Sequence, residues 1–324
     1  MSTLYEPLGY GVGGLSLGGG ASFHTGKRGF TCDDIVNYEI VLADGTIANA
    51  NAVENPGLHR ASRGGGNNFG IVTRFDLQTF EDAKGGLYGG LLFLTCDDRG
   101  AILAQFSRLV EINHEHPKDT EVIAFTYGGL GAPMIAVVTI NTTGLEDSTS
   151  FAPLNQLTPV LDDRSRKTYG KVITDFATPG GARSVWLSYL FPEQHGCPEK
   201  DICALRCLYG RPDELVARTW HRLCYPALSK HFANRGNVSM QILEQESMAF
   251  AKLAALAAEL EAYAESKDTS TTWRYFNYVS PAQDPFSTFG EENFQLLEKV
   301  AAEYDPKGFF QPRVSGGFKI SRVQ

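Results

Sequence analysis

The sequence predicts an α+β protein in two parts, and three observations carry that prediction. Glycine crowds the start, with seven in the twelve residues from Gly9 to Gly20, and a second cluster follows at Gly64-Gly65-Gly66-Asn67-Asn68-Phe69-Gly70. Runs rich in β-branched residues, separated by turn residues, fill the space around these clusters. Beyond the polar stretch Glu81-Asp82-Ala83-Lys84-Gly85-Gly86, helical periodicity alternates with strands, as in an antiparallel sheet backed by helices.

Residues 8–80 read as short strands and glycine turns. Ile35 to Leu42 is a β-rich run closed by Ala43-Asp44-Gly45, and Thr46-Ile47-Ala48-Asn49-Ala50 resumes it, the pattern of a hairpin. Asn55-Pro56-Gly57 opens a short helix reaching Arg63, and Gly70 to Leu77 alternates as a strand. Past the boundary, residues 98–113 form a helix with Ile102, Phe106, Leu109 and Val110 on one face. Glu121 to Tyr127 and Pro133 to Ile140 are strands around the Gly128-Gly129 turn region. Gln245 to Ser266 is alanine- and leucine-rich and helical by propensity. In the tail, Thr288-Phe289-Gly290-Glu291 has capping-box form. Phe294, Leu297, Val300, Ala301 and Tyr304 then line one helical face until Asp305-Pro306-Lys307-Gly308 stops it.

Composition narrows the function. A net charge of −8, without any basic stretch interleaved with aromatics, argues against a nucleic-acid partner and for small-molecule chemistry. No apolar run is long enough to span a membrane, and Met1 to Pro7 lacks the pattern of a signal peptide, which leaves localisation open. The six cysteines show no C-x-x-C pair, and His114-x-His116, flanked by Glu111, Glu115 and Pro117, reads as a solvated helix end, so no metal is expected. The G-x-S-x-G elbow of the commonest hydrolases is missing.

Gly9-Tyr10-Gly11-Val12-Gly13-Gly14 matches G-x-G-x-x-G in form only. A dinucleotide fingerprint needs a strand before it and a helix after it, whereas Pro7 precedes this one and Gly18-Gly19-Gly20 follows. Gly11 to Phe23, Gly29 to Val36 and Gly64 to Thr73, read together, resemble the berberine-bridge-enzyme-like FAD-linked oxidases of the vanillyl-alcohol-oxidase, or PCMH-type, flavoprotein superfamily. Tyr275-Phe276-Asn277-Tyr278, Gln283-Asp284, Gly290-Glu291-Glu292-Asn293 and Tyr304 to Phe310 are similar to the closing segment of its fungal branch.

The resemblance implies three parts. Residues 1–85 would be the C-terminal part of a PCMH-type FAD-binding domain, 86–268 the substrate domain, and 269–324 a segment returning to complete the flavin site. Backbone amides of the loop comprising Gly13, Gly14, Leu15, Gly18, Gly19, Gly20 and Ser22 would face the flavin and pyrophosphate. Asn68, Gly70, Ile71 and Val72 would run along the nucleotide. Family members carry a further N-terminal subdomain with a phosphate-binding loop and a flavin-linking histidine. The expectation is therefore a chain truncated at its start, with weak or absent FAD binding.

A flavin oxidase needs a base to take a proton while hydride leaves for flavin N5. The family's Tyr-x-Asn element matches Tyr275 and Asn277. Strand alternation would point both side chains the same way, with Tyr275 as base and Asn277 holding it and contacting the flavin. Tyr127, Gln241 and Glu244 are weaker candidates for substrate contact. The implied activity is oxidation of a small organic alcohol, sugar or secondary metabolite, with O2 as electron acceptor. The alternatives are a flavin-free isomerase or cyclase, or an inactive pseudoenzyme.

Overall fold

The computed structural model describes residues 11–81, 85–126, 134–175, 273–279 and 283–323, with isolated positions between 255 and 266. Most of the helix expected from Gln245 to Ser266 lies outside them. The chain divides into two units, one of residues 1–81, 186–191 and 270–324, the other of 82–185 and 192–269.

The first unit begins with a departure from the glycine turns expected there. Val12–Leu17 is a helical turn and a half, α1. The Leu15 amide donates to the Gly11 carbonyl at 3.1 Å, and the Ser16 hydroxyl donates to the Val12 carbonyl at 2.8 Å. Each helical glycine costs about 1 kcal/mol relative to alanine. Burial of Leu15 and Ser16 outweighs this local preference. Gly18 to Gly20 do end the helix, since Gly19 and Gly20 take φ of 120° and 86°. A second short helix, α2 (Thr25–Arg28), follows.

Next come β1 (Ile35–Val41), β2 (Ile47–Asn51), α3 (Pro56–Ser62) and β3 (Ile71–Leu77), the strands forming an antiparallel sheet in the order β2-β1-β3. The hairpin has the chemistry its sequence promised: Asp44 Oδ1 accepts the Thr46 amide at 2.9 Å, and Gly45 takes φ of 87°. Alternation sends Tyr38 and Ile40 into the core. On the other face, Asn37 donates to Asp76 at 3.0 Å and Arg74 donates to Glu39 at 3.1 Å. Asn55, in the left-handed region at φ 50°, turns the chain into α3, with Pro56 at its first position.

The tail adds α6 (Glu291–Tyr304) and α7 (Phe310–Arg313). The expected capping box does not form. Gly290 is the N-cap, at φ 82°, and Glu291 opens the helix, so Thr288 lies two residues too early. Its hydroxyl donates instead to the Pro285 carbonyl at 2.6 Å. Asp305 closes the far end by accepting the Phe309 and Phe310 amides, both at 2.7 Å. α3 packs on β2 and on α6. Leu58, Ala61, Phe69, Phe286, Leu297, Val300 and Ile320 complete the core around Tyr38 and Ile40.

The second unit contains β4 (Leu87–Thr95), α4 (Arg99–Ile112), β5 (Asp119–Thr126), β6 (Met134–Asn141), β7 (Leu161–Asp162), β8 (Ser165–Lys167) and α5 (Tyr169–Asp175). The sheet is antiparallel in the order β5-β6-β4-β7, with β8 also on β4. Leu92, Leu94, Ile135 and Val137 pack with Ile102 and Leu109 of α4.

The face of α4 differs from the expected one. Gln105 is buried, whereas Phe106 and Val110 are exposed. The cause is polar: the Gln105 amide donates to Glu121 at 3.1 Å and to the Ser150 carbonyl at 2.7 Å, which fixes the rotation of the helix. Beside it Asp119 accepts from Asn141, Ser148 and Ser150 at 2.6–2.7 Å. A hydrophobic pattern alone gives no sign of such a buried polar cluster.

Candidate active site

The sequence candidates of the first unit converge on one tie. The Tyr275 hydroxyl accepts the Ala21 amide at 2.6 Å and the Asn277 side-chain amide at 3.0 Å. Asn277 Nδ2 also donates to the Leu15 carbonyl at 3.0 Å, joining α1, the glycine turn and the tail. The Tyr275–Asn277 pairing expected from the Tyr-x-Asn element is therefore present, but strand alternation does not produce it. Tyr275 precedes a 3-10 turn, Phe276–Tyr278, and the turn brings Asn277 back to it. Gly18 must be glycine, because a Cβ there would run into the Asn277 side chain.

Most amides of the glycine loop have partners within the protein. Gly18 and Gly19 donate to carbonyls of α1, and Ser22 donates to Thr25 Oγ1 at 2.7 Å. Gly14 is exposed, and a Cβ on it would meet nothing within 4 Å. The open backbone of this loop thus lies at its start, in α1, and not along its whole length.

Asn68 has a role the sequence did not suggest. It is fully buried, and its Nδ2 donates to the carbonyls of Gly65 at 2.8 Å and Phe318 at 3.0 Å. Its Oδ1 accepts from Gln311 at 3.1 Å and from the Ile320 amide at 3.3 Å. A side chain so engaged pins the tail and has no bond left to offer a nucleotide. Gly70 is needed for close approach, since a Cβ would collide with Ile40 and the Val41 carbonyl. Ile71 is exposed and Val72 half-buried on β3. Tyr127, Gln241 and Glu244 lie outside the described residues.

Gly18, Gly19 and Tyr275 also line a cavity of about 340 Å³, together with Phe30, Cys32, Arg60, Arg63, Trp273, Phe276 and Phe289. Phe30 stacks on Tyr275 at 5.4 Å with 11° between the ring planes, and Trp273 lies 6.0 Å from Phe30. Cys32 is buried, and desolvation pushes its thiol up to about 12, so it stays protonated. Sequence reasoning missed these lining residues. The one available signal was Arg60-x-x-Arg63, two cationic side chains three residues apart, and in the structure Arg60 lies in the last turn of α3 while Arg63 is its extended C-cap. Among the described residues, no group of three His, Cys, Asp or Glu could hold a metal ion.

Comparison with known proteins decides the family. The chain is 31% identical to an FAD-dependent monooxygenase of Fusarium proliferatum over 96% of its own length and 67% of the relative's. It belongs to the FAD-binding PCMH-type family. A second FAD-dependent monooxygenase, from Cochliobolus heterostrophus, is 29% identical over 97% of the chain and 67% of the relative. The PCMH-type chain thus spans about two thirds of the length of these relatives. No family model matches the sequence.

Solved structures show the same fold. 6-Hydroxy-D-nicotine oxidase from Arthrobacter nicotinovorans aligns at a TM-score of 0.66 with 20% identity, covering 93% of this chain and 70% of that one. The carbohydrate oxidase of Microdochium nivale aligns at 0.61 with 19% identity, covering 95% and 71%. By family the PCMH-type chain is an FAD-linked oxidoreductase, with FAD as its cofactor. Its residues fit the ring end of that cofactor: the cavity, near the lower end of small-molecule pocket sizes, takes a fused ring system against aromatic walls but not a whole dinucleotide.

Proposed function

We propose that this chain oxidises a small organic alcohol, sugar or secondary metabolite, with Tyr275 as the proton acceptor and O2 as the final electron acceptor. Bound FAD supplies the hydride-accepting N5. The reading is carried by one observation, a tyrosine hydroxyl on the wall of an aromatic cavity that receives two N–H donors.

Donors aimed at an oxygen stabilise negative charge on it, the property a proton acceptor needs. Asn277 orients the ring and Ala21 fixes its height, while the stacked Phe30 restrains its plane. The apolar walls keep water from the reacting carbon.

The test is Tyr275→Phe in protein carrying FAD. Turnover is expected to fall roughly 10²- to 10⁴-fold, the usual contribution of a general base, with flavin absorbance unchanged. Retained turnover removes Tyr275 from the mechanism. Turnover lost together with the flavin makes it a structural tie alone.

A further inference from the structure

We infer that the tail of the first unit holds a binding site for a small oxyanion of the phosphate or sulfate type, built from Asn67, Gly316, Gly317 and Lys319. The other three residues meet at the Asn67 side chain. Its Oδ1 accepts from Lys319 Nζ at 2.7 Å, its Nδ2 donates to the Gly316 carbonyl at 3.4 Å, and a Cβ on Gly317 would come within 2.9 Å of its oxygen. None of the four lines the aromatic cavity, so the site is separate from the one that fits the cofactor ring, and it does not depend on the proposed oxidation.

The first argument is a buried charge. Lys319 is 3% exposed, yet its one hydrogen-bond partner is the neutral Asn67. Among the described residues it has no carboxylate within ion-pair reach, whereas the similarly buried Lys167 lies between Asp163 at 3.1 Å and Asp175 at 3.4 Å. A lysine is almost never fully buried without such a pair. The surroundings of Lys319 add positive charge instead. Arg322 follows one 3-10 turn later, with its amide on the Lys319 carbonyl at 3.0 Å, and residues three apart in that geometry eclipse one another. Burial first, and then Arg322, hold the Lys319 amine below its ordinary range, the response of a cation that lacks a counter-charge.

The second argument comes from the backbone. Gly316 and Gly317 take φ of 81° and 68°, and both are exposed. Among the described residues neither amide has an acceptor. Successive free amides in a turn of this kind make a concavity that favours anions. A Cβ on Gly316 would meet nothing within 4 Å, so the approach is open. The amides supply direction and Lys319 supplies charge. A tetrahedral oxyanion that takes the place of the Asn67 oxygen has enough acceptor sites for Lys319, both glycine amides and Asn67 Nδ2 together.

Calorimetric titration of the whole chain with inorganic phosphate, and with sulfate as a second probe, tests the site at constant ionic strength. Lys319→Met, which keeps the apolar stem, should weaken phosphate about 10- to 100-fold, as expected for the loss of a charge-assisted bond. Asn67→Asp keeps the test open should that variant fail to fold. It sets a carboxylate on Lys319, and it should raise the melting temperature in phosphate-free buffer and abolish phosphate binding. Phosphate binding that persists in the presence of FAD supports a separate site, whereas displacement by FAD gives the anion to the cofactor and overturns the inference. Absence of binding by both probes, binding unchanged in Lys319→Met, or binding retained in Asn67→Asp also overturns it. Failure of the proposed oxidation would look different: phosphate binding intact, with no flavin reduction by any substrate.

Discussion

The hydroxyl of Tyr275 accepts the backbone amide of Ala21 at 2.6 Å across 254 residues of sequence. That bond ties the tail to the glycine turn, and it gives one residue two duties, holding the loop and facing the cavity. Mutations around it therefore report on stability as well as on chemistry.

Gly18→Ala tests the packing behind this tie. The added methyl runs into the Asn277 side chain, which must leave both Tyr275 and the Leu15 carbonyl. Overpacking of this kind costs about 1–3 kcal/mol. Chemical denaturation should show that loss, and Gly18→Ala with Asn277→Ala should recover part of it.

Asn68→Ala should be more damaging than a typical polar substitution. It removes a fully buried side chain with four bonds, leaving the Phe318 carbonyl and the Ile320 amide short of partners. Unsatisfied buried groups cost about 1–3 kcal/mol each. Limited proteolysis should then cut the tail near Phe318 before the rest of the first unit.

Glu121 makes the stability of the second unit depend on pH. Burial pushes its carboxyl up to about 7 from an ordinary 4.5, only partly opposed by the Gln105 amide. The folded state therefore keeps a proton that the unfolded chain has released between these values. Stability from this group is complete below about pH 4.5 and is lost as pH rises to about 7, by at most on the order of 3 kcal/mol. Glu121→Gln, which cannot ionise, should flatten that part of the stability-pH curve. An unchanged slope refutes the assignment.

Cys32 should resist alkylation in the native protein. With its thiol pushed up to about 12, its thiolate fraction at pH 8 is about 10³-fold below that of an ordinary cysteine. Iodoacetamide labelling mapped by mass spectrometry should find Cys32 modified only after unfolding, and rapid native labelling would contradict its burial.

Much of the fold was legible because it rests on local chemistry. The Asp44-Gly45 turn, the Asn55-Pro56 helix start, the alternation of β1 and the stop after Tyr304 each depend on a few adjacent residues. Legibility ended where distant groups chose the local structure. Glycines 13 and 14 became helical because Leu15 is buried, and α4 turned Gln105 inward to meet Glu121 and Ser150. The Tyr-x-Asn element pointed to two side chains that do hydrogen-bond, but for the wrong local reason, because a 3-10 turn and not a strand brings Asn277 to Tyr275.

The sequence by itself determined the family, the cofactor class and the pairing of Tyr275 with Asn277, because these follow from motifs whose order survives in one dimension. Only the tertiary structure decided that Asn68 is a structural pin, that Gly18 makes room for Asn277, and that Arg60 and Arg63 meet an aromatic wall from the tail. Those roles come from contacts across more than two hundred residues, and no local pattern encodes which distant group will satisfy a buried amide or leave a charge unpaired.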